Sequence, residues 1–113
     1  MKIVEGAISL RDLGLMAEAG FGDLVKAVVD VQRGIMAVDG ELHSDEEAWL
    51  LEHGSQQRDL WGINIYPELV GDQRIEFDSM INIRPSQGNR SRGVDDPDLR
   101  ARILRIVDGL IVP

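Results

Sequence analysis

The sequence contains no cysteine and few aromatic residues. Without cysteine the chain cannot form disulfide bonds or thiolate metal sites, and this absence agrees with a cytoplasmic location. Aromatic residues make up 4% of the chain, so few side chains could stack on the bases of single-stranded RNA. No segment approaches the roughly 18 consecutive apolar residues of a membrane span, and we therefore expect no membrane partner.

Positive charge is also scarce. The 113 residues carry a formal net charge of −8, and the sequence pI is near 4.6. Because neutralisation of phosphates by Lys and Arg supplies most of the affinity for duplex nucleic acid, this charge argues against such a partner. The length predicts a single domain over residues 1–113, which is large enough to bury about two-thirds of the surface of its unfolded chain.

Start and stop signals predict three helices. Each helix has a stripe of apolar residues at helical spacing that follows a capping residue, and a glycine ends the first two. The signals are, in chain order, Ser9 and Gly20, then the capping box from Ser44 to Glu47 followed by Gly54, and finally Asp96 with Pro97 in the first helical position.

Alternating and β-branched segments predict the strands between these helices. They are residues 2–4, 24–31, 35–38, 60–66 and 75–83, with a short additional strand at 41–43 after the Asp39-Gly40 turn. The resulting order, β-α-β-β-(β)-α-β-β-α, predicts an α+β fold in which three helices pack on a mainly antiparallel sheet of about five strands.

Residues 75–83 form the longest alternating run and are predicted to pair with 60–66 as a hairpin. Both apolar faces must point to the same side of the sheet. That condition opposes Ile65 with Phe77, Ile63 with Ser79 and Trp61 with Ile81. The other face then carries a polar row of Asn64, Glu76, Asp78, Asn82 and Arg84.

A loop of arginines and amides follows this predicted strand. No acidic residue lies between Asp78 and Asp95, whereas this segment holds three arginines. A guanidinium group offers a fork of donors that fits carboxylate or phosphate. The sequence therefore predicts a site for an anionic small molecule or a phosphorylated group, formed by Arg84, Gln87, Asn89, Arg90 and Arg92, with Asn64, Asp78 and Asn82 on its floor. Pairing of the arginines with carboxylates of the same chain is the alternative.

The candidates for chemistry are fewer than those for binding. Asp78, Glu76 and His43 are the residues that could act as acid or base, in a hydrolytic or transferase-like reaction. No nucleophile motif surrounds Ser86 or Ser91. His43 and Glu47 lie one helical turn apart without a fixed third ligand, so we predict no metal site and no cofactor.

A non-enzymatic role is the alternative function. In that case the chain is a structural or interaction protein, a homo-oligomer in which the loop arginines contact the acidic surface of a partner.

Four blocks of the sequence together resemble a small prokaryotic family that is classed only as a domain of unknown function. The blocks are Phe21 to Asp30 (FGDLVKAVVD), Gly40 to His43 (GELH), Asp59 to Asn64 (DLWGIN) and Ile75 to Gly93. The resemblance covers nearly the whole chain and implies a free-standing small protein. It assigns no activity, so it implies no catalytic residues.

Overall fold

A computed structural model describes all residues from Met1 to Pro113 and confirms the α+β class. The helices are α1 (Leu10–Ala19), α2 (His43–Glu52) and α3 (Pro97–Leu110). The strands are β1 (Lys2–Val4), β2 (Ile8–Ser9), β3 (Val25–Asp30), β4 (Ile35–Val38), β5 (Leu60–Ile65), β6 (Ile75–Glu76) and β7 (Ile111–Val112). None of the three helices combines the length and the hydrophobicity needed to cross a bilayer.

Five strands form one antiparallel sheet in the order β1-β4-β3-β5-β6. The central strand β3 pairs with β5 so that Lys26 faces Asn64 and Ala27 faces Ile63. A second, two-stranded element pairs β2 with β7 in parallel. It joins the segment before α1 to the end of α3, which explains why the apolar sequence continues beyond Leu110.

Helices cover both faces of the sheet. On one face, α1 and α3 bury Leu13, Ala17, Ile103 and Val107 against inward side chains of β3, β4 and β5. On the other face, α2 places Leu50 against a smaller apolar cluster from β3, β4 and β5. This second face is only partly apolar, because Lys26 and Asn64 lie on it beside the start of α2.

The predicted starts of α1 and α3 are confirmed. The Ser9 side chain accepts a hydrogen bond from the Asp12 N–H at 3.0 Å, and Asp96 accepts one from the Asp98 N–H at 2.9 Å.

The predicted start of α2 is wrong. Residues 41 and 42 are not a strand, and α2 begins at His43, with Leu42 in the N-cap position and no side-chain cap. Ser44 therefore lies inside the helix and caps nothing. The His43 ring, which is hydrogen-bonded to the Ile63 carbonyl oxygen at 2.7 Å, holds the first helical residue on the sheet and extends the helix beyond the predicted capping box.

The predicted strand over residues 75–83 is also wrong beyond Glu76. The short strand β6 opposes Ile65 with Ile75 and Asn64 with Glu76, so the register differs by two residues from the predicted one. The chain then leaves the sheet edge and crosses the α2 face, where Met80–Asn82 form a 3-10 turn. Gly62 permits this crossing, because a Cβ atom there would lie 2.5 Å from the Ser79 Cβ.

Candidate functional site

The predicted arginine loop is a closed loop over residues 78–93, lying on the α2 face. Backbone bonds close it at the base, from the Ser79 N–H to the Arg92 carbonyl, and near the tip, between Arg84 and Asn89. The tip is a short 3-10 turn, Pro85–Gln87, that ends at Gly88 with a positive φ of 80°. The loop is thus built by its own hydrogen bonds rather than by a continuing strand.

Two predicted binding residues, Asn82 and Asn89, are buried inside the loop. The Asn82 amide donates to the Gly62 carbonyl at 2.9 Å and accepts from the Gly62 N–H at 2.8 Å. The Asn89 amide donates to the carbonyl oxygens of Asn82 and Gly93, both at 2.8 Å. These side chains replace the strand pairing that the chain has lost, and their contacts favour a structural role.

Arg84, the first of the predicted arginines, is also held by the protein itself. Its guanidinium donates to the backbone carbonyl oxygens of Gln57 and Leu60, and it lies 4.1 Å from the centroid of the Trp61 ring. Burial lowers the pKa of Arg84, and the nearby Glu47 carboxylate opposes that shift. Carbonyl bonds and a cation–π contact fasten the loop to β5.

The remaining loop residues differ in availability. The Gln87 amide donates to the Arg58 carbonyl at 3.1 Å. Arg92 forms the only ion pair of the chain, between its Nε and Asp78 Oδ1 at 2.6 Å, which leaves its two terminal nitrogens without a partner. The Arg90 guanidinium makes no hydrogen bond and no ion pair within the chain, and it is exposed to solvent.

A polar cleft of about 340 Å³ lies between this loop, the start of α2 and the exposed part of the sheet face. It brings together four residues predicted as site residues on different grounds, namely His43, Asn64, Asp78 and Arg92. Its polar lining also includes Lys26 and Ser44. Arg84, Gln87, Asn89 and Arg90 do not line this cleft.

Lys26 and Asn64 form the floor of the cleft, and Glu76 lies beside Asn64 outside it. Lys26, Asn64 and Glu76 occupy neighbouring positions on β3, β5 and β6. The Asn64 amide donates to Glu76 Oε1 at 2.8 Å, and the Tyr66 hydroxyl donates to the same oxygen at 3.2 Å. Asn64 itself is 6% exposed, and its Oδ1 is buried without a hydrogen-bond partner.

The wall of the cleft is the uncapped start of α2. Leu42 offers no side-chain acceptor, so the N–H groups of His43 and Ser44 have no partner in the chain. Free N–H groups and the helix dipole favour an anion at such a helix end. The unpaired Asn64 oxygen is a separate sign of a ligand, because a buried acceptor without a partner is costly.

His43 is a neutral side chain in this wall. Because the Ile63 carbonyl only accepts, the His43 Nε2 carries the proton, and the Nδ1 atom is left as an acceptor. Burial is the main cause that lowers the pKa of His43, and the positive charges of Lys26 and Arg92 act in the same direction. Of the predicted acid–base candidates, Asp78 and His43 thus face one cleft, whereas Glu76 is held by Asn64 and Tyr66.

Lys26 is available, because Glu46, a buried acid that interacts electrostatically with it, is uncharged. Glu46, on the first turn of α2, is 0% exposed, and burial raises its pKa to about 9. Its Oε2 accepts from the Gly40 N–H at 2.9 Å, and its Oε1 has no partner. A protonated Glu46 cannot neutralise Lys26, which forms no ion pair and lies 5.1 Å from the centroid of the Phe21 ring.

Sequence analysis did not identify Lys26 or Ser44 as site residues. Lys26 could have been recognised from its position, since it is a charged residue between Val25 and Ala27 on the central strand. Helices cover both faces of the sheet there, and apolar residues are usual on covered faces. Ser44 carries no separate signal, because the capping box accounts for it. No group of three or more His, Asp and Glu side chains is arranged to hold a metal ion.

The fold and the cleft define a class: an α+β domain whose five-stranded antiparallel sheet is covered by helices on both faces and carries one polar cleft beside a helix start. The chain belongs to the family described as protein of unknown function (DUF5674), whose model matches residues 2–110. No similar curated protein and no similar solved structure was found.

Proposed function

We propose that this protein binds a small oxyanion, a carboxylate or phosphate group with a neighbouring hydrogen-bond donor, in the polar cleft. The observation that carries the proposal is the combination of Lys26, which has no ion pair, with the buried and unpaired Oδ1 of Asn64 on the adjacent strand. An anion satisfies the first of these groups, and a donor on the same ligand satisfies the second.

Two further sets of donors support an anion in this position. The terminal nitrogens of Arg92 are free, since only its Nε bonds to Asp78. The N–H groups at the start of α2 are also free. In a chain of net charge −8, a cleft with two cations and one paired carboxylate attracts anions that the rest of the surface repels.

The proposal moves the predicted site from the tip of the arginine loop to its base. Binding by Arg84, Gln87, Asn82 and Asn89 stays a prediction, but these side chains already hold the loop on the sheet, and removing them would disturb it. Arg90 provides a direct test of the tip, because its guanidinium is free and lies outside the cleft.

The experiment is a titration of the wild-type chain with N-acetylglycine, glycolate and inorganic phosphate, followed by amide chemical shifts. A chain of 12.5 kDa suits this measurement. We expect saturable shifts of the His43 and Ser44 amides and of Asn64. Shifts confined to residues 85–91 would instead assign the anion to the loop tip, and an absence of saturable shifts would overturn the proposal.

Matched variants provide the second measurement. Lys26→Met keeps the apolar stem and removes the charge, and we expect it to weaken binding about tenfold. Arg90→Ala removes an exposed arginine two residues from Arg92, and we expect affinity within about twofold of wild type. Equal losses in the two variants would show that overall charge, rather than the cleft, holds the anion.

A second candidate function is self-association through the loop tip. The free guanidinium of Arg90 and the net charge of −8 favour it, because a neighbouring copy offers many carboxylates. Sedimentation velocity at two concentrations tests this candidate: a larger species that Arg90→Glu dissociates supports it, and a monomer at both concentrations rejects it.

A further inference from the structure

The cleft adjoins a larger and more apolar cavity of about 550 Å³. We propose that the ligand of the cleft carries an apolar chain that lies in this cavity, an inference that rests on the proposed function. The apolar side chains of the cavity come from the end of α1, the start of β3 and the segment before α2, and they are Met16, Ala19, Phe21, Leu24, Val25 and Leu42.

Two residues connect the cavity to the cleft. Lys26 and Leu42 line both. The Lys26 Nζ lies 5.1 Å from the centroid of the Phe21 ring, so a ligand anion that contacts the ammonium group brings its next few atoms over the apolar wall. One ligand that contacts Lys26 can therefore reach into both spaces.

The charges that line the two spaces set the direction of the ligand. Asp39 and Glu41 line the cavity but not the cleft, and an anionic group placed beside them would be repelled. Arg92 lines only the cleft, and Lys26 lies where the cleft and the cavity meet. The anionic end thus occupies the cleft, and the uncharged end occupies the cavity.

The apolar wall also lacks a cover. Phe21 is 51% exposed and Leu42 is 57% exposed, so both would lose unfavourable contact with water when an apolar chain covers them. A volume of about 550 Å³ lies within the range of roughly 300–1,000 Å³ that holds small molecules. The ligand class is an amphipathic oxyanion with a hydrogen-bond donor next to the charged group.

N-Acylglycines have all three parts: a carboxylate, one amide N–H for the Asn64 oxygen, and a chain of adjustable length. The experiment measures their affinity by calorimetry with acetyl, butanoyl, hexanoyl and octanoyl chains. We expect affinity to rise about twofold to threefold per added methylene. N-Acetylsarcosine, which lacks the N–H, should bind several times more weakly than N-acetylglycine.

Two variants test where the apolar chain of the ligand lies. Phe21→Ser removes the exposed ring of the cavity and should reduce the gain per methylene, whereas Val70→Ser changes an exposed apolar residue that lies outside both spaces and should leave the gain unchanged. Binding of N-acetylglycine without any gain from longer chains would overturn this inference and leave the proposed function intact. A gain that both variants retain would overturn it as well, and no binding of any probe would overturn the proposed function itself.

Discussion

Glu46 makes the stability of this protein depend on pH, and its replacement by glutamine should remove that dependence. The carboxyl group is fully buried, and burial raises its pKa from the ordinary 4.5 to about 9. The folded state therefore keeps a proton that the unfolded state releases above about pH 4.5. The free energy of unfolding is then highest below this pH and falls as the pH rises toward the folded pKa.

The loss of stability at neutral pH depends only on the pKa of Glu46 in the unfolded state. As long as the folded pKa is above 7, each pH unit between the unfolded pKa and neutrality lowers stability by about 1.4 kcal/mol. Between about pH 5 and about pH 7 the loss is about 2.5 kcal/mol. A change of one unit in the folded pKa alters this value only near pH 8 and above.

The assay is urea unfolding of the wild type and of Glu46→Gln at a series of pH values, followed by tryptophan fluorescence. Glutamine keeps the shape and the acceptor for the Gly40 N–H but does not titrate. We expect the stability of the variant relative to wild type to rise by about 2.5 kcal/mol between about pH 5 and about pH 7.

The matched control is Glu52→Gln, at the exposed end of the same helix. Its stability relative to wild type should stay constant over the same pH range. A constant difference for Glu46→Gln too would show that Glu46 is ionised in the folded state, and the account of a neutral acid beside Lys26 would be refuted. A carboxyl carbon titration of Glu46 by NMR measures the same pKa directly.

Two further predictions concern how the loop is held on the sheet. Gly62→Ala should destabilise the protein by about 3 kcal/mol, because the added Cβ would overlap Ser79. Gly14→Ala places a Cβ in open space within a helix and should stabilise the protein by about 1 kcal/mol. Equal changes of the two variants in urea unfolding would contradict this explanation. Arg84→Lys should cost about 2 kcal/mol, because an ammonium group cannot bond both carbonyl oxygens and stack on the tryptophan ring. Arg90→Lys, on the same loop, should change stability by less than about 0.5 kcal/mol.

The elements with strong end signals were predicted well from the sequence. Ser9 and Asp96 define helix starts through hydrogen bonds to residues two or three positions away, so no distant contact is needed to recognise them. The strands predicted over 24–31 and 35–38 are found at Val25–Asp30 and Ile35–Val38, because β-branched residues surround a single tight turn. The fold class depends on these local features and was therefore accessible.

The start of α2 shows where a local signal is not sufficient. Ser44 and Glu47 have the spacing of a capping box, yet the helix begins one residue earlier at His43. The cause is a tertiary contact, the bond from the His43 ring to the Ile63 carbonyl, and no pattern within α2 indicates it. The wall of the polar cleft that α2 provides depends on this contact.

The segment after Glu76 shows a second limit. Its alternation of apolar residues is that of a strand, but Ile65 lies opposite Ile75 and not opposite the predicted Phe77. A glycine within a strand often marks close approach of another segment, and Gly62 was the available signal. The ligand-binding role of the buried amides Asn82 and Asn89 was predicted from residue type, which does not distinguish a ligand contact from a bond to the backbone.

The departure of the chain from the sheet is also what creates the cleft. A regular strand over residues 75–83 would pair with all of β5 and would carry Asp78 away along the sheet edge. Instead, the crossing above Gly62 places Asp78 and Ser79 over the same face as Lys26 and Asn64. Asn82 makes the crossing possible, because its amide satisfies the Gly62 backbone groups that a strand would have paired. The crossing that replaces the predicted strand therefore builds a second wall of the candidate site, and a Gly62 variant that restored strand pairing should lose the cleft together with any anion bound in it.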